Sequence, residues 1–188
     1  WSDGNRMAID SSGNIFVTGV YCTQGSSSWS SCSATFGNTT LNHGSQYGAI
    51  FVVKLDSNGN WLWAERAYEN YGARALGITV DSSGDAFVTG IICEHKGSNG
   101  NCNIYFGSIY QTYRQSSTNG DTFIAKISAS GTWQWLNYAQ GGVTSSGIDI
   151  EVTPNGDIYV LIERQSGTMH FNGTYASGTG YGLVIGEF

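Results

Sequence analysis

The sequence predicts an all-β fold: a β-propeller-like array of about three four-stranded antiparallel blades, the third of them incomplete. The 188 residues include 27 Gly, one Pro, 13% aromatic and only 12% charged residues. Glycines serve turns, while aromatic and β-branched residues fill pleated surfaces, so this composition favours strands and turns. The phrase AIDSSGNIFVTG, residues 8–19, also returns as TVDSSGDAFVTG, residues 79–90. A phrase repeated in this way indicates a repeated fold unit.

Each copy of the phrase predicts a strand, a tight turn and a second strand. The residues that begin the turns, Asp10, Asp81 and Thr153, are separated by 71 and 72 positions. Asp, Ser and Gly favour a tight turn, and the alternation in IFVTG is typical of a strand with one face on a core. Oxygens at alternate positions of DSSGN would also suit calcium, but the rest of a calcium loop is missing. We therefore interpret these segments as hairpin turns.

Two further strands complete the unit. A third apolar strand recurs as AIFVVKLD, TFIAKIS and LVIGEF, and a fourth with a Trp-x-Trp pattern follows in two copies, starting at Trp61 and Trp133. The predicted units are residues 1–70, 71–140 and 141–188, the last without its fourth strand. A sheet of four short strands cannot cover its own faces, so such units stack as the blades of a propeller do. A β-sandwich or solenoid would not require the same register in successive units.

The predicted blade count is too low for closure, because closed propellers need at least about four blades. We therefore expect either an excerpt of a longer propeller or a subunit that closes by assembling with further copies. An open arc would expose an apolar sheet face at each end, and large exposed apolar faces normally meet a partner. The expected partner is another protein or a second copy of the chain.

The succession DSSGN, IFVTG, FVVKLD and GNWLWA resembles the bacterial and archaeal propeller repeats called SBBP, which are named for seven-bladed β-propellers. The resemblance spans essentially the whole chain and is weakest in the third copy. There the repeat's Lys becomes Gly186 or Glu187, depending on the alignment, and its leading Asp becomes Thr153. The resemblance implies a propeller carried by a secreted or cell-surface protein, and it supports the fold better than any function.

The four cysteines predict two local disulfides, Cys22 to Cys32 and Cys93 to Cys102. Each pair brackets a polar, glycine-rich loop, and the third unit lacks both the cysteines and the long loop. Closing a loop of about ten residues stabilises a fold by roughly 3 kcal/mol in the chain-entropy model. A zinc site is disfavoured, because paired C-x-x-C spacing is absent. Disulfides imply an oxidising compartment, so we expect an extracellular or cell-surface protein.

Two Asn-x-Ser/Thr acceptors, Asn38 and Asn172, follow the Phe of their units and are candidates for N-glycosylation. Trp29 lies among serines in the middle of the first bracketed loop. An exposed Trp there would stack on a sugar or anchor a protein partner, whereas a Trp folded back would cover the disulfide. Trp29 is therefore the candidate contact residue for a ligand or partner.

Charge and motifs exclude several function classes. The net charge of −6 has no basic cluster, which argues against nucleic acid, and no apolar run approaches the roughly 20 residues of a membrane span. The chain begins without Met or a signal-like segment, so we expect any targeting segment to be removed or to lie outside the sequence. Nucleophile-elbow, phosphate-loop and metalloprotease motifs are absent, so no cofactor, metal ligand or catalytic residue is assigned.

We therefore expect a non-enzymatic, secreted or cell-surface module that mediates protein association, as an adhesin-like domain or a subunit of an extracellular assembly. A carbohydrate-binding, lectin-like propeller is the alternative. A fragment of a propeller glycoside hydrolase is less favoured; its candidate acids, Asp149, Glu151 and Glu163, have no counterparts in the other units. The three histidines, His43, His95 and His170, are expected to be surface loop residues.

Overall fold

The computed structural model describes residues 2–23, 32–44, 47–94, 101–113, 120–141, 144–165, 167–171, 174–178 and 182–187. These residues form strands and turns, with no helix among them, so the predicted all-β class is confirmed. The strands are β1 (Ser2–Ile9), β2 (Ile15–Tyr21), β3 (Cys32–Phe36), β4 (Thr39–His43), β5 (Ala49–Leu55), β6 (Trp61–Glu69), β7 (Arg74–Val80), β8 (Ala86–Ile92), β9 (Cys102–Phe106), β10 (Ile109–Tyr113), β11 (Asp121–Ile127), β12 (Trp133–Tyr138), β13 (Gln140–Gly141), β14 (Ser145–Val152), β15 (Ile158–Arg164), β16 (Gly167–Phe171), β17 (Thr174–Gly178) and β18 (Gly182–Glu187).

Three antiparallel sheets repeat along the chain. The first sheet has the order β1-β2-β5-β6, the second β7-β8-β11-β12, and the third β14-β15-β18. The described residues do not close into a ring. In the third sheet Tyr159 pairs with Glu187, just as Phe16 pairs with Lys54 and Phe87 with Lys126. Glu187 therefore occupies the position of the repeated Lys.

The repeated turns are hairpin connections between the first two strands of each sheet, and a related turn joins β5 to β6. Asp10 Oδ1 accepts hydrogen bonds from the backbone N–H groups of Ser12 and Asn14, both at 2.9 Å. Asp56 and Asp81 accept the corresponding bonds in their turns. The Asp side chains thus stabilise the turn backbone, as expected for this residue type.

A second hairpin, which the sequence analysis missed, is inserted between the second and third strands of each unit. These inserted hairpins are β3–β4, β9–β10 and β16–β17, and the first two turn at the repeated Phe-Gly pair. Strand β9 continues the first sheet by pairing with β6, so that Phe106 lies opposite Ala67. Strand β16 pairs with β13 next to the second sheet in the same way. The second and third inserted hairpins therefore tie their units to the strand that precedes them, β6 and β13 respectively.

The apolar core lies between successive sheets. Phe16 and Val52 of the first sheet pack with Val88 and Phe123 of the second. An equivalent cluster joins the second and third sheets, with members Phe87, Ile124, Ile150, Val160 and Phe171. The opposite face of the first sheet carries a third cluster, in which its own inserted hairpin covers part of the sheet.

The repeated Thr-Gly of IFVTG is explained by packing at the inner strands. Thr89 is fully buried, and its hydroxyl donates to Phe123 O at 2.6 Å, as Thr18 does to Phe51 O at 2.8 Å. Gly90 pairs with Ala75 beside an irregularity of β7. A Cβ on Gly90 would lie against the carbonyl oxygen of Arg74 and 2.9 Å from the Cα of Ala75. The position therefore excludes a side chain unless the backbone moves.

Gly90→Ala is expected to lower the free energy of unfolding by about 3 kcal/mol, because the added methyl group would displace β7. Chemical denaturation of the purified chain measures this change. Gly44→Ala is the control, since a Cβ there meets nothing within 4 Å, and a change within about 0.5 kcal/mol is expected. Equal effects of the two substitutions would contradict this account of the repeated glycine.

Candidate interaction surface

The first sheet exposes an apolar surface on the side that faces away from the second sheet. We call this surface the rear face and define it by Met7, Ile9, Val17 and Trp61. Side chains of a strand alternate between its two faces, and Phe16, next to Val17, packs toward the second sheet. The rear face is therefore the side that has no sheet against it among the described residues.

The repeat shows what covers this face elsewhere in the molecule. Met7 corresponds to Ile78 and Ile150, which are 6% and 3% exposed, whereas Met7 itself is 56% exposed. Ile9, at 60%, likewise corresponds to Val152 of the third sheet, which is 9% exposed. Ile78 is buried in the core against the first sheet, and Ile150 against the second. The rear face thus has the apolar composition of a sheet-to-sheet contact, but no sheet packs against it among the described residues.

Trp61 repeats the geometry of Trp133 but lacks its cover. The Trp133 ring packs edge-on against Phe106, with centroids 4.8 Å apart, and its Nε1–H donates to Arg66 O of β6 at 3.1 Å. Trp61 packs against Phe36 at 5.8 Å. Trp133 is 4% exposed and Trp61 46%, and no hydrogen-bond partner for the Trp61 indole is found in the described ranges. Trp133 is therefore buried between two sheets, whereas Trp61 is not.

The edge of β3 is also open. Strand β9 pairs with β10 on one side and with β6 on the other, whereas β3 pairs with β4 alone within the described part of the chain. The open edge runs along Ala34, Thr35 and Phe36, which correspond to the residues of β9 that pair with β6. An open edge of this kind can accept a further strand.

Asn38 lies at the tip of the β3–β4 hairpin and is exposed. It lines a recess of about 460 Å³ together with Asn60 and Trp61. An Asn-linked sugar would therefore stand beside Trp61, and its attachment stays a prediction. The other candidate acceptor, Asn172, and the candidate contact residue Trp29 lie outside the described residues.

Both predicted disulfides are present. Cys22 and Cys32 are joined with their Cα atoms 5.9 Å apart, and Cys93 and Cys102 with theirs 6.0 Å apart. Each bond connects the residue after the second strand of its sheet to the first residue of the inserted hairpin. The disulfides therefore fix the base of the first two inserted hairpins, of which β9–β10 ties its unit to the preceding sheet.

Glu69, which the sequence analysis missed, is buried beside the second disulfide. Its Oε2 lies 3.1 Å from Cys102 Sγ and accepts the backbone N–H of Tyr71 at 2.5 Å. Burial raises the pKa of this carboxyl to about 8, against the lowering effect of its backbone hydrogen bonds. The Glu69 carboxylate and the sulfurs of Cys93 and Cys102 lie within 4.8 Å of one another. Both sulfurs are bonded to each other, so they are not thiolate ligands in this form.

The histidines differ from the expectation of surface loop residues. His43 is 3% exposed at the end of β4, where Nε2 hydrogen-bonds to Tyr47 O at 2.8 Å. Its ring packs between Tyr21 and Tyr68, and this burial lowers its pKa. His170 is half-buried in β16. Both belong to inserted hairpins, and because the sequence analysis treated these segments as loops, its expectation was wrong. His95 lies outside the described residues.

The candidate acids of the hydrolase interpretation are not gathered into one site. Asp149 and Glu151 are exposed on β14, and Glu163 is exposed on β15. Glu151 pairs with Tyr159 near one end of these strands, and Glu163 pairs with Ser146 near the other end. Glu151 accepts a hydrogen bond from the Thr79 hydroxyl at 3.5 Å. Glu163 therefore lies apart from Glu151 along the third sheet.

Comparison with known proteins gives a limited relationship. No protein-family model matches the chain. One curated protein, described as an uncharacterized WD repeat-containing protein from Acanthamoeba polyphaga mimivirus, is 35% identical over 86 residues. The match covers 46% of this chain and 6% of that protein. With the all-β fold, this similarity suggests propeller-like repeats. The described ranges contain no helix that could cross a membrane.

Glu69 is expected to make stability depend on pH. Its folded-state pKa of about 8 lies above the ordinary value of 4.5, so between these values the folded state retains a proton that the unfolded state releases. The free energy of unfolding therefore decreases as the pH rises from about 5 to 8, by on the order of 1 kcal/mol per pH unit. Urea denaturation across this pH range measures the slope.

Glu69→Gln is expected to flatten that slope, because the amide stays neutral. Glu163→Gln, at an exposed position, serves as the control and should follow the original chain. Parallel stability curves for Glu69→Gln and the original chain would show that the buried carboxyl does not carry the effect.

Proposed function

We propose that this chain is a non-enzymatic, propeller-like module of a secreted or cell-surface protein, and that it mediates association with other protein through its rear face. The observation that carries the proposal is the exposure of Met7, Ile9 and Trp61 at positions whose counterparts are buried between sheets. Burial of apolar surface is the main driving force of protein association. A contiguous apolar surface beside an open strand edge is therefore typical of a protein–protein interface.

The extracellular part of the proposal is supported by the two disulfides, which are compatible with an oxidising compartment. The association part is supported by the similarity to a WD repeat-containing protein over 46% of the chain. Propeller repeats of the SBBP type stay our interpretation of the sequence pattern.

The mass of the native particle, measured by mass photometry on secreted protein, tests this function. We expect a particle heavier than the polypeptide that carries the chain, and we expect Ile9→Lys to reduce the heavier fraction at least about tenfold, since an interface does not tolerate an unpaired buried charge. Leu62→Lys is the matched control. Leu62 is exposed, but its counterpart Gln134 is exposed as well, so this position is not part of a sheet-to-sheet contact. A particle of single-polypeptide mass, unaffected by either substitution, would refute the association.

Carbohydrate binding is the second candidate function, because Trp61 stands exposed beside the amides of Asn38 and Asn60. Aromatic rings stack on sugars, and amides hydrogen-bond to their hydroxyls. A glycan array probed with the original chain, Trp29→Ala and Trp61→Ala distinguishes the two aromatics. Binding lost only with Trp29→Ala would assign the ligand to the first disulfide loop, and binding lost only with Trp61→Ala would assign it to the recess. The absence of binding by the original chain would remove this candidate.

A further inference from the structure

We propose that the Cys93–Cys102 disulfide is a redox-active site that a dithiol reductant opens, with Glu69 as the general acid that gives its proton to the departing Cys102 sulfur. Both cysteines belong to the core between the first and second sheets. The site therefore lies away from the rear face and goes beyond the proposed function. Three features assign this role to Glu69: its contact with one sulfur, its surroundings, and its absence from the equivalent position of the next unit.

The Glu69 carboxyl contacts the sulfur of Cys102. Its Oε2 lies 3.1 Å from Cys102 Sγ, and both side chains are buried. A sulfur in a disulfide carries no proton, and a carboxylate oxygen at this distance would repel the sulfur lone pairs. The protonated carboxyl instead donates a hydrogen bond to that sulfur. The acid proton therefore already faces the sulfur that becomes a thiolate when the bond breaks.

The surroundings of Glu69 let the carboxyl hold its proton at neutral pH and still release it. Burial is the main cause that raises its pKa to about 8, and the negative charge of Glu94 adds to the rise. Glu94 is itself paired with Arg74 at 2.7 Å. Three backbone N–H groups lower the pKa and stabilise the carboxylate; they belong to Tyr71, Gly72 and Cys93. Because a free thiol has a pKa of about 8.5, proton transfer from Glu69 to the new thiolate is nearly balanced.

The repeat indicates that the fold itself does not require this carboxyl. The counterpart of Glu69, 72 positions later, is Gly141, which lies beside the third inserted hairpin, and that hairpin has no cysteines. A buried carboxyl is costly, so its presence beside a disulfide calls for a reason. Among the described residues, no other carboxylate comes within 4.8 Å of both sulfurs of a disulfide. In that part of the chain, the Cys22–Cys32 bond therefore has no equivalent acid.

The attacking thiolate reaches the sulfur of Cys93. Both sulfurs of this disulfide are fully buried, so attack requires a local opening of the chain. Cys102 begins β9, which is paired with β6, the strand that carries Glu69. Cys93, in contrast, lies just past the end of β8, before the bracketed loop. An opening on the Cys93 side therefore leaves Cys102 beside its acid.

Reduction proceeds in two exchange steps. A thiolate of the dithiol attacks Cys93 Sγ and forms a mixed disulfide, while the bond between the cysteines breaks and its electron pair stays on the Cys102 sulfur. That sulfur takes the proton of Glu69 and becomes a thiol. The second thiolate of the dithiol attacks the mixed disulfide and releases the Cys93 thiolate, and water then returns a proton to Cys93 and to Glu69. The dithiol is oxidised to a disulfide, and the protein disulfide is reduced to two thiols.

The rates at which the two disulfides are reduced test this role. The folded, oxidised chain is treated with excess dithiothreitol, and alkylation followed by peptide mass spectrometry gives an initial rate for each bond. The ratio of the Cys93–Cys102 rate to the Cys22–Cys32 rate cancels the thiolate fraction of the reductant, since one reagent attacks both bonds. We expect Glu69→Gln to lower this ratio at least about tenfold at pH 7. Glu65→Gln, on the same strand β6, is the matched control and should leave the ratio unchanged.

The pH dependence of the same ratio separates an acid from a group that only packs against the bond. In the original chain the ratio should fall about tenfold between pH 7 and pH 9, because Glu69 loses its proton near pH 8. In Glu69→Gln the ratio should not depend on pH. If Glu69 only packs there, its ionisation would loosen the buried site, and the ratio would rise above pH 8.

A ratio that rises with pH in the original chain, or stays constant, would overturn the inference, and so would a ratio that Glu69→Gln leaves unchanged at pH 7. The pH profile of the original chain decides the matter even if the variant folds poorly. None of these rates depends on the mass of the native particle, so the test of association stands separately.

Discussion

The contact between the face of one sheet and the face of the next is the interaction on which the rest of this structure depends. The second sheet is apolar on both sides, with Val88 packed toward the first sheet and Phe87 toward the third, so neither of its faces can be left to water without losing the main stabilising term of the fold. Phe16 and Phe87, at the same position of successive units, are each buried under the following sheet. The inserted hairpin β9–β10 and the disulfide at its base hold the second sheet on the first.

The repeated Lys of the third strand shows how polar groups are fitted to this contact. Lys54 Nζ lies over the Phe16 ring at 4.6 Å and donates to Ala129 O of the next unit at 3.3 Å. Trp63 Nε1 donates to the same carbonyl at 3.1 Å. Ala129 N–H in turn donates to Asp85 at 2.9 Å. A Lys, a Trp and an Asp that are distant in sequence thus converge on one turn, and the Lys and the Trp recur 72 residues later as Lys126 and Trp135.

Much of the fold could be predicted from the sequence, because its determinants are local. The turn at Asp10 is stabilised by its own side chain, and the pairing of Cys22 with Cys32 joins residues only ten positions apart. The inserted hairpins were missed, because their strands are short and polar, as in CSATF and TTLNH. Strand β9 is held by pairing with β6, more than thirty residues away. Likewise, nothing local distinguishes Trp61 from Trp133, since the difference lies in whether a preceding sheet covers the ring.

The contacts between units also have a direction. The first sheet offers its outer strand β6, with the Arg66 carbonyl and Ala67, to the second unit, which receives it with the hairpin β9–β10 and Trp133. The association proposed for the rear face would therefore be heterologous, since the two surfaces that meet would be different. A two-fold dimer through two rear faces would place β3, instead of an alanine-bearing strand, opposite Phe36. It would also bury two indole N–H groups with no backbone carbonyl positioned to accept their hydrogen bonds. The asymmetry of the repeat thus favours contacts in which the rear face meets a different surface, and it disfavours the pairing of two rear faces.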